Sequence, residues 1–287
     1  MTTDTRLILP ANERVAVTDR GSVQFIGNAT VLIRYGGITI LTDPTFIHRH
    51  EQVSIGYGMQ STRLVDPAMD IRDLPPLDLI VLSHFHGDHF DQVAERELAK
   101  SIPIITNGEA AKELLRRGFR YAQPIETWSF VSVEKGDLRL RVTSMPGRHG
   151  PPLSDWIMPE VMGSMLEFEP AGGAPFCIYI TGDTLAFDGL DEIPRRYREI
   201  DLALLHLGGT RVFGILVTMD AKQGVEVMNL IRPARAIPIH FNDYDVFTSP
   251  LADFEKGVQA AGFQDRVHYL AHGGTYAFQA GATRAAA

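Results

Sequence analysis

A single cysteine, Cys177, in 287 residues excludes an intrachain disulfide. It lies in the apolar run Phe176-Cys177-Ile178-Tyr179-Ile180, where it reads as a small buried thiol, and a reducing compartment is expected. No basic run exceeds a pair such as Arg116-Arg117 or Arg195-Arg196, and the formal net charge is -8. That excludes a sequence-independent nucleic-acid surface, while a small anionic substrate met by one or two arginines stays open. No apolar run approaches eighteen residues, and Met1–Arg6 lack the charged and apolar regions of a signal peptide. The expectation is a soluble, cytoplasmic protein without a membrane span. Internal repeats and low-complexity linkers are missing too, as are a Ser-His-Asp triad and a phosphate-binding glycine loop. At 45% hydrophobic residues, the chain has ample material for a large core.

What the sequence does have is a concentration of ligand-type side chains. Ser83-His84-Phe85-His86-Gly87-Asp88-His89-Phe90-Asp91 holds three imidazoles and two carboxylates. A strand-like run, Leu79–Leu82, precedes it, and a helix-like run, Gln92–Leu98, follows. Two residues apart on an extended segment, His84 and His86 share a face. Gly87 allows a sharp turn or an unusual φ, after which Asp88 and His89 swing back from the helix start. This order suits two metal ions side by side, with His84 and His86 on one and Asp88 and His89 on the other.

His84-x-His86-x-Asp88-His89 resembles the signature of the metallo-β-lactamase fold hydrolases, and the likeness runs from about Val23 to about Phe278. The resemblance implies further ligands at later strand ends. This chain offers His149 in Pro146-Gly147-Arg148-His149-Gly150, Asp183 in Thr181-Gly182-Asp183-Thr184, and His240 in Ile237-Pro238-Ile239-His240-Phe241. The Gly-Asp-Thr and Pro-Ile-His segments resemble the branch with ascorbate-phosphate lactonases and N-acyl-phosphatidylethanolamine phospholipases D. The implied set is His84, His86 and His149 at one ion and Asp88, His89 and His240 at the other, with Asp183 bridging. Nitrogen and oxygen donors without thiolate favour Zn²⁺, with Mn²⁺ or Fe²⁺ as alternatives. The resemblance also implies that Asp43, in Asp43-Pro44, fixes a ligand imidazole; as a bare sequence feature the pair is equally a turn initiator.

The rest of the chain reads as strands in hairpins, then strands alternating with helices. Ser22–Gly27, Thr30–Tyr35 and Ile38–Thr42 are three strands, the last two joined by Gly36-Gly37. Residues 45–75 read as an irregular loop, with His48 and His50 nearer to substrate contact than to metal. Asn107 caps a helix ended by Gly118. Thr127–Val133 with Leu138–Ser144, and Met165–Phe168 with Phe176–Thr181, read as antiparallel pairs. His206, at the end of Leu202–Leu205, is core or supports the site. Thr218 or Asp220 starts a helix, Ser249-Pro250 supplies the cap and first turn of the last one, and residues 267–278 hold two short strands around the turn residue His272. Residues 150–162, with Trp156, are either a wall of the substrate pocket or a self-packed surface loop. Arg148, Tyr57 and Tyr244 are further candidate contacts.

The expected architecture is α/β, an αββα sandwich of two mixed sheets flanked by helices, with residues 1–20 as an arm and 21–287 as one domain; the four layers come from the resemblance. The expected function is hydrolysis of a lactone, ester, amide or phosphodiester by a hydroxide held between two divalent ions, which also polarise the substrate oxygen. Asp88 is the catalytic residue in this reading, a ligand that also orients or accepts the proton of the water. The alternatives are a mononuclear non-haem iron oxygenase on the same fold, or a metal-dependent binding protein without turnover. The partner is a small-molecule substrate; oligomeric state is left open.

Overall fold

Alternating apolar residues in the central strands serve two different cores, and this fixes the layering. The computed structural model describes residues 5–11, 19–56, 58–151 and 158–281. In chain order the first strands are β1 (Thr5–Ile8), β2 (Arg20–Gly27), β3 (Thr30–Tyr35), β4 (Ile38–Thr42), β5 (Gln52–Ser54), β6 (Gln60–Thr62) and β7 (Leu79–Val81). Helix α1 (Gln92–Glu97), β8 (Ile104–Thr106), α2 (Gly108–Arg116), β9 (Ala122–Pro124), β10 (Phe130–Lys135), β11 (Leu138–Met145), β12 (Gly163–Pro170) and β13 (Phe176–Ile180) follow. The rest are α3 (Glu192–Arg196), β14 (Leu202–His206), β15 (Arg211–Val212), β16 (Ile215–Leu216), α4 (Ala221–Ile231), β17 (Arg235–Ile239), α5 (Leu251–Ala261) and β18 (Thr275–Gln279).

Two seven-stranded sheets result, with orders β18-β2-β3-β4-β7-β8-β9 and β1-β10-β11-β12-β13-β14-β17. Along β3, β4, β7 and β8, Val31, Ile33, Ile40, Leu79, Val81 and Ile105 face the second sheet, where they meet Val131, Val133, Leu140 and Val142. Their neighbours Leu32, Leu41, Ile80 and Ile104 face Ala94 of α1, Ala110 and Leu114 of α2, Phe90 and Phe119. A period of two with both faces apolar is what a strand covered on both sides requires. On the second sheet, α4 and α5 contribute Val227, Met228, Ile231, Phe254 and Val258 to the core. The expected two mixed sheets with flanking helices are therefore present. Each fully buried Leu or Ile contributes about 1.5–3 kcal/mol relative to exposure.

In each sheet the hairpin strands give way to parallel ones. β4, β7, β8 and β9 run parallel, as do β13, β14 and β17. Two antiparallel steps from β13 make β11 run the same way. The segments after β4, β7, β11, β13, β14 and β17 consequently leave from carboxyl ends, the usual rim for ligands in open α/β sheets.

Several local expectations change. Residues 5–8, read as part of an arm, form an edge strand parallel to β10, a backbone pairing that four residues of sequence do not reveal. Residues 45–75 contain the β5–β6 hairpin and a 3₁₀ turn, Ile71–Asp73. Only one strand, β18, lies in 267–278 among the described residues; Val267 makes a lone bridge to Ala236. Ser249 does not cap α5: its Oγ accepts from the Ala221 amide in the first turn of α4, 2.9 Å away. Capping propensity is local, but nearby helix ends compete for the same hydroxyl. Gly87 has an ordinary φ; what excludes a side chain is β5, since a Cβ there would lie 2.7 Å from the Ser54 carbonyl oxygen.

Candidate metal centre

The turn that leaves β7 carries His84, His86, Asp88 and His89. Asp91 ties the far end of this turn to two segments: Oδ1 accepts from the Val93 and Ala94 amides of α1, and Oδ2 from those of Phe46 and Ile47 in the segment after β4. His149 follows β11, Asp183 follows β13 and His240 follows β17. Two hydrogen bonds between the loops bring His149 beside Asp183: the Arg148 amide donates to Thr184 Oγ1, and the Leu185 amide to the Arg148 carbonyl. Gly182 turns at φ 62°, and a Cβ there would sit 2.6 Å from the Met162 carbonyl oxygen. His240 itself holds a left-handed φ of 59°, an uncommon backbone for a residue with a side chain.

The seven residues expected from sequence fall into two groups, each with its candidate ligand atoms within 4.8 Å of one another: His84, His86 and His149, and Asp88, His89, Asp183 and His240. In the first, His84 Nε2 lies 3.1 Å from His86 Nδ1, and the His149 ring centre is 5.3 Å from that of His84. In the second, His89 Nε2 lies 3.3 Å from Asp183 Oδ2, and His240 Nε2 lies 3.6 Å from Asp88 Oδ2. The groups adjoin, with the His84 and His89 ring centres 4.1 Å apart.

Hydrogen bonds outside the cluster assign the ring protons. His149 Nδ1 donates to the Val217 carbonyl at 2.9 Å and His240 Nδ1 to the Leu207 carbonyl at 3.0 Å. Asp183 Oδ1 also lies 3.4 Å from His240 Nδ1, but the carbonyl contact is shorter. His89 Nδ1 lies 3.1 Å from Asp43 Oδ2. The Ser83 hydroxyl lies 2.9 Å from Asp43 Oδ2 and 3.1 Å from His84 Nδ1, so a serine proton on the carboxylate leaves the serine oxygen to accept from His84. Four imidazoles are thus tied outward through Nδ1 and present Nε2 to the cluster. His86 is the exception, with Nδ1 toward His84 Nε2. An outward N–H bond of this kind fixes tautomer and orientation in metal-binding histidines.

Charge is distributed unequally. Burial, then the neighbouring imidazoles, holds His84 well below its usual range, and the same causes bring His86 down to about 4. His149 is lowered, with burial the largest cause. Burial also opposes charge on His89, but the Asp183 and Asp88 carboxylates and the Asp43 hydrogen bond outweigh it and hold this imidazole well above its usual range. His240 is raised in the same way against burial, chiefly by Asp183 and Asp88. Burial favours the neutral acid at Asp183, yet His240 and His89 hold it well below the carboxylate range.

Buried atoms without partners test whether a metal fits. His89 Nε2, His240 Nε2, Asp88 Oδ1 and Asp183 Oδ1 are buried and make no hydrogen bond to the described residues. Leaving one such atom unsatisfied costs about 1–3 kcal/mol. Four of them in one cluster are donor atoms of the kind a divalent cation takes, and the three-imidazole group supplies a further set without thiolate.

Other sequence candidates settle elsewhere. His48 is exposed and lies 3.3 Å from both Asp66 Oδ1 and Asp70 Oδ1; His50, also exposed, has a left-handed φ of 73°. Both are remote from the ligand groups in their contacts. His272 Nε2 contacts the buried Asp243 carboxylate at 2.9 Å, which also accepts from the Asn28 amide and faces the buried Arg63. Asn28 in turn donates from Nδ2 to the Asp88 carbonyl and accepts from the His240 amide. Tyr244 packs with Ile47, Val53 and Ile55. The Arg148 guanidinium lies 4.4 Å from the Phe187 ring centre. Trp156 and Tyr57 lie outside the described residues. Asp43 is no mere turn residue: its buried carboxyl is disfavoured as an anion by burial, yet hydrogen bonds from His206 and His89 hold it at about 2. Thr218, read from sequence only as a possible helix start, donates its hydroxyl to Asp183 Oδ2 at 2.9 Å.

The fold and the clustered histidines and aspartates are those of a metallo-β-lactamase-type protein. The model of the beta-lactamase superfamily domain matches residues 39–241, and the chain belongs to that family. A metal-dependent hydrolase of Pyrobaculum islandicum is 24% identical over 241 residues, covering 83% of this chain and 92% of the relative. Two solved structures share the fold. An isothiocyanate hydrolase from Delia radicum gut bacteria has a TM-score of 0.73 at 22% identity, covering 90% of this chain and 99% of that one. A possible metal-dependent hydrolase from Veillonella parvula has a TM-score of 0.74 at 23% identity, covering 91% and 99%. By family the chain is a metal-dependent hydrolase. Among the described residues, no helix is long and apolar enough to cross a membrane.

Proposed function

We propose that this hydrolase works with two divalent metal ions, His84, His86 and His149 holding one, Asp88, His89 and His240 the other, and Asp183 both. The observation that carries the reading is the convergence of Nε2 atoms whose rings are tied outward through Nδ1, together with the unpartnered carboxylate oxygens of Asp88 and Asp183. Zn²⁺ is the preferred ion for these donors, ahead of Mn²⁺ and Fe²⁺. When bound, two such ions supply a hydroxide at neutral pH and polarise a carbonyl or phosphoryl oxygen. The chain's own part is to hold four imidazoles, His84, His89, His149 and His240, in fixed tautomers with His86 beside them, to keep Asp183 ionised between His89 and His240, and to present Asp88 as the group that orients or accepts a water proton. Thr218 fixes one Asp183 oxygen by its hydrogen bond, leaving the other for a ligand role.

Beside the three-imidazole group, a cleft of about 490 Å³ is lined by Glu109, Arg148, His149, Glu160, Met162 and Phe187 among others. A larger cleft of about 520 Å³, lined by Glu167, Tyr197 and Arg198 among others, contains none of the seven residues, so size does not make it the substrate site. Proximity to His149 favours the smaller one as the place for a lactone, ester, amide or phosphodiester. The test is elemental analysis of protein purified without chelator, paired with a screen of those four substrate classes. Two zinc or manganese ions per chain with hydrolysis is the expected result. One iron per chain with oxygen uptake would replace it with the oxygenase reading, and metal without turnover on any class would point to a binding protein.

A further inference from the structure

His206 closes β14 and is fully buried behind the ligand groups. Its own amide donates to Thr181 Oγ1 at 2.9 Å, and its Nδ1 lies 3.3 Å from that same oxygen. Because the threonine oxygen accepts from the amide, its hydroxyl proton is free to turn to Nδ1. A neutral imidazole that accepts at Nδ1 carries its proton on Nε2. That Nε2 lies 3.3 Å from Asp43 Oδ2. Asp43 is buried, and its ion-pair partners among the described residues are the two imidazoles His89 and His206. Oδ1 accepts from the Ser83 amide at 2.7 Å, while Oδ2 receives Ser83 Oγ, His89 Nδ1 and His206 Nε2. The same carboxylate therefore governs a ring in each ligand group: His89 directly, and His84 through Ser83.

We infer that His206 is a positioning residue for both groups. It donates from Nε2 to Asp43 and holds that carboxylate in the rotamer from which His89 and His84 are turned with Nε2 inward. The inference rests on the dinuclear reading above. The His206 ring also lies parallel to His89, with centres 6.0 Å apart and planes at 12°, so a filling role has to be separated from the donor role. Two variants do this. His206→Phe keeps an aromatic ring and removes the donor; His206→Gln places an amide N–H near the position of Nε2.

Metal affinity is measured by competition with a chromophoric chelator for Zn²⁺, and geometry by the d–d spectrum of the Co²⁺-loaded protein. His206→Phe is expected to weaken both ions about tenfold, the low end for groups behind a ligand, and to shift the spectrum; His206→Gln should stay within about threefold of the natural chain. Equal affinities in the Phe variant and the natural chain would overturn the inference, and so would equal losses in both variants, which would assign the effect to packing. Should the Phe variant not fold, Thr181→Val serves, since it leaves the His206 ring in place and removes the hydroxyl that fixes its tautomer and accepts from its amide; unchanged affinity there would likewise overturn it. An independent reading comes from long-range ¹H–¹⁵N spectra of the metal-free natural chain, in which His206 should be the Nε2–H tautomer. Finding Nδ1–H would end the proposal. If the natural chain itself takes up fewer than two ions, the dinuclear reading fails while the tautomer measurement still decides the role of His206.

Discussion

The two ligand groups sit side by side and carry charge in opposite ways. His84, His86 and His149 form a neutral set, because burial and mutual repulsion keep protons off. Asp88, His89, Asp183 and His240 form a compensated set in which two carboxylates raise the proton affinity of two imidazoles against burial. A cation entering the first group meets lone pairs. A cation entering the second must displace protons, and in return it finds carboxylates to neutralise it. The contrast shows how one cluster can present two unlike sites: a few ångströms decide whether an imidazole sees another imidazole or a carboxylate.

Four measurements sharpen or break this contrast. The largest effect belongs to Asp183→Asn, which keeps shape and removes charge. It should leave a folded protein with the ion of the mixed group lost, the other loosened, and turnover reduced at least about 100-fold, a minimum for a direct ligand. Two tightly bound ions with near-normal turnover would refute the bridging role. Asp43→Asn comes next, because Asp43 reaches both groups. Affinity should fall about 10–100-fold at each ion, and a loss confined to one ion in a two-site titration would show that the Ser83 link to His84 is idle.

Thr218→Val reaches the ions only through Asp183. Losing one hydrogen bond to a charged oxygen, about 1.5–3 kcal/mol, should weaken the mixed-group ion by roughly ten- to a hundredfold at most and the three-imidazole ion, which has Asp183 only as a bridge, by less. Equal weakening of both would merge the two groups into one unit. The smallest effect is protonic. His89 and His240 are raised in the metal-free chain, so they bind protons that a metal must expel. Affinity of the mixed group should therefore fall as pH drops and rise with pH until their pKa values are passed, while the three-imidazole group stays flat through neutral pH. Calorimetric titration in buffers of different ionisation enthalpy counts the protons released with each ion; equal counts would abolish the distinction.

The sequence by itself determined whatever depends on near neighbours. The His84–Asp91 turn, the Asn107 cap on α2 and the alternation that marks β10 and the first half of β11 are set by spacing and short-range hydrogen bonds. His149, Asp183 and His240 were reachable only through the resemblance, because nothing local marks them as partners. The tertiary structure alone decided how the groups are held. Asp43 and His206 are 163 residues apart and meet because β4 and β14 end on one rim. Asp183 receives the Thr218 hydroxyl across 35 residues, and Asn28 reaches Asp88 across 60. Ser249 shows the same limit in reverse: its position beside Pro250 pointed to α5, while the packing of α4 gave the hydroxyl another amide. Local pattern fixes what a segment prefers; which proton faces which oxygen depends on strand ends that converge only in the folded chain.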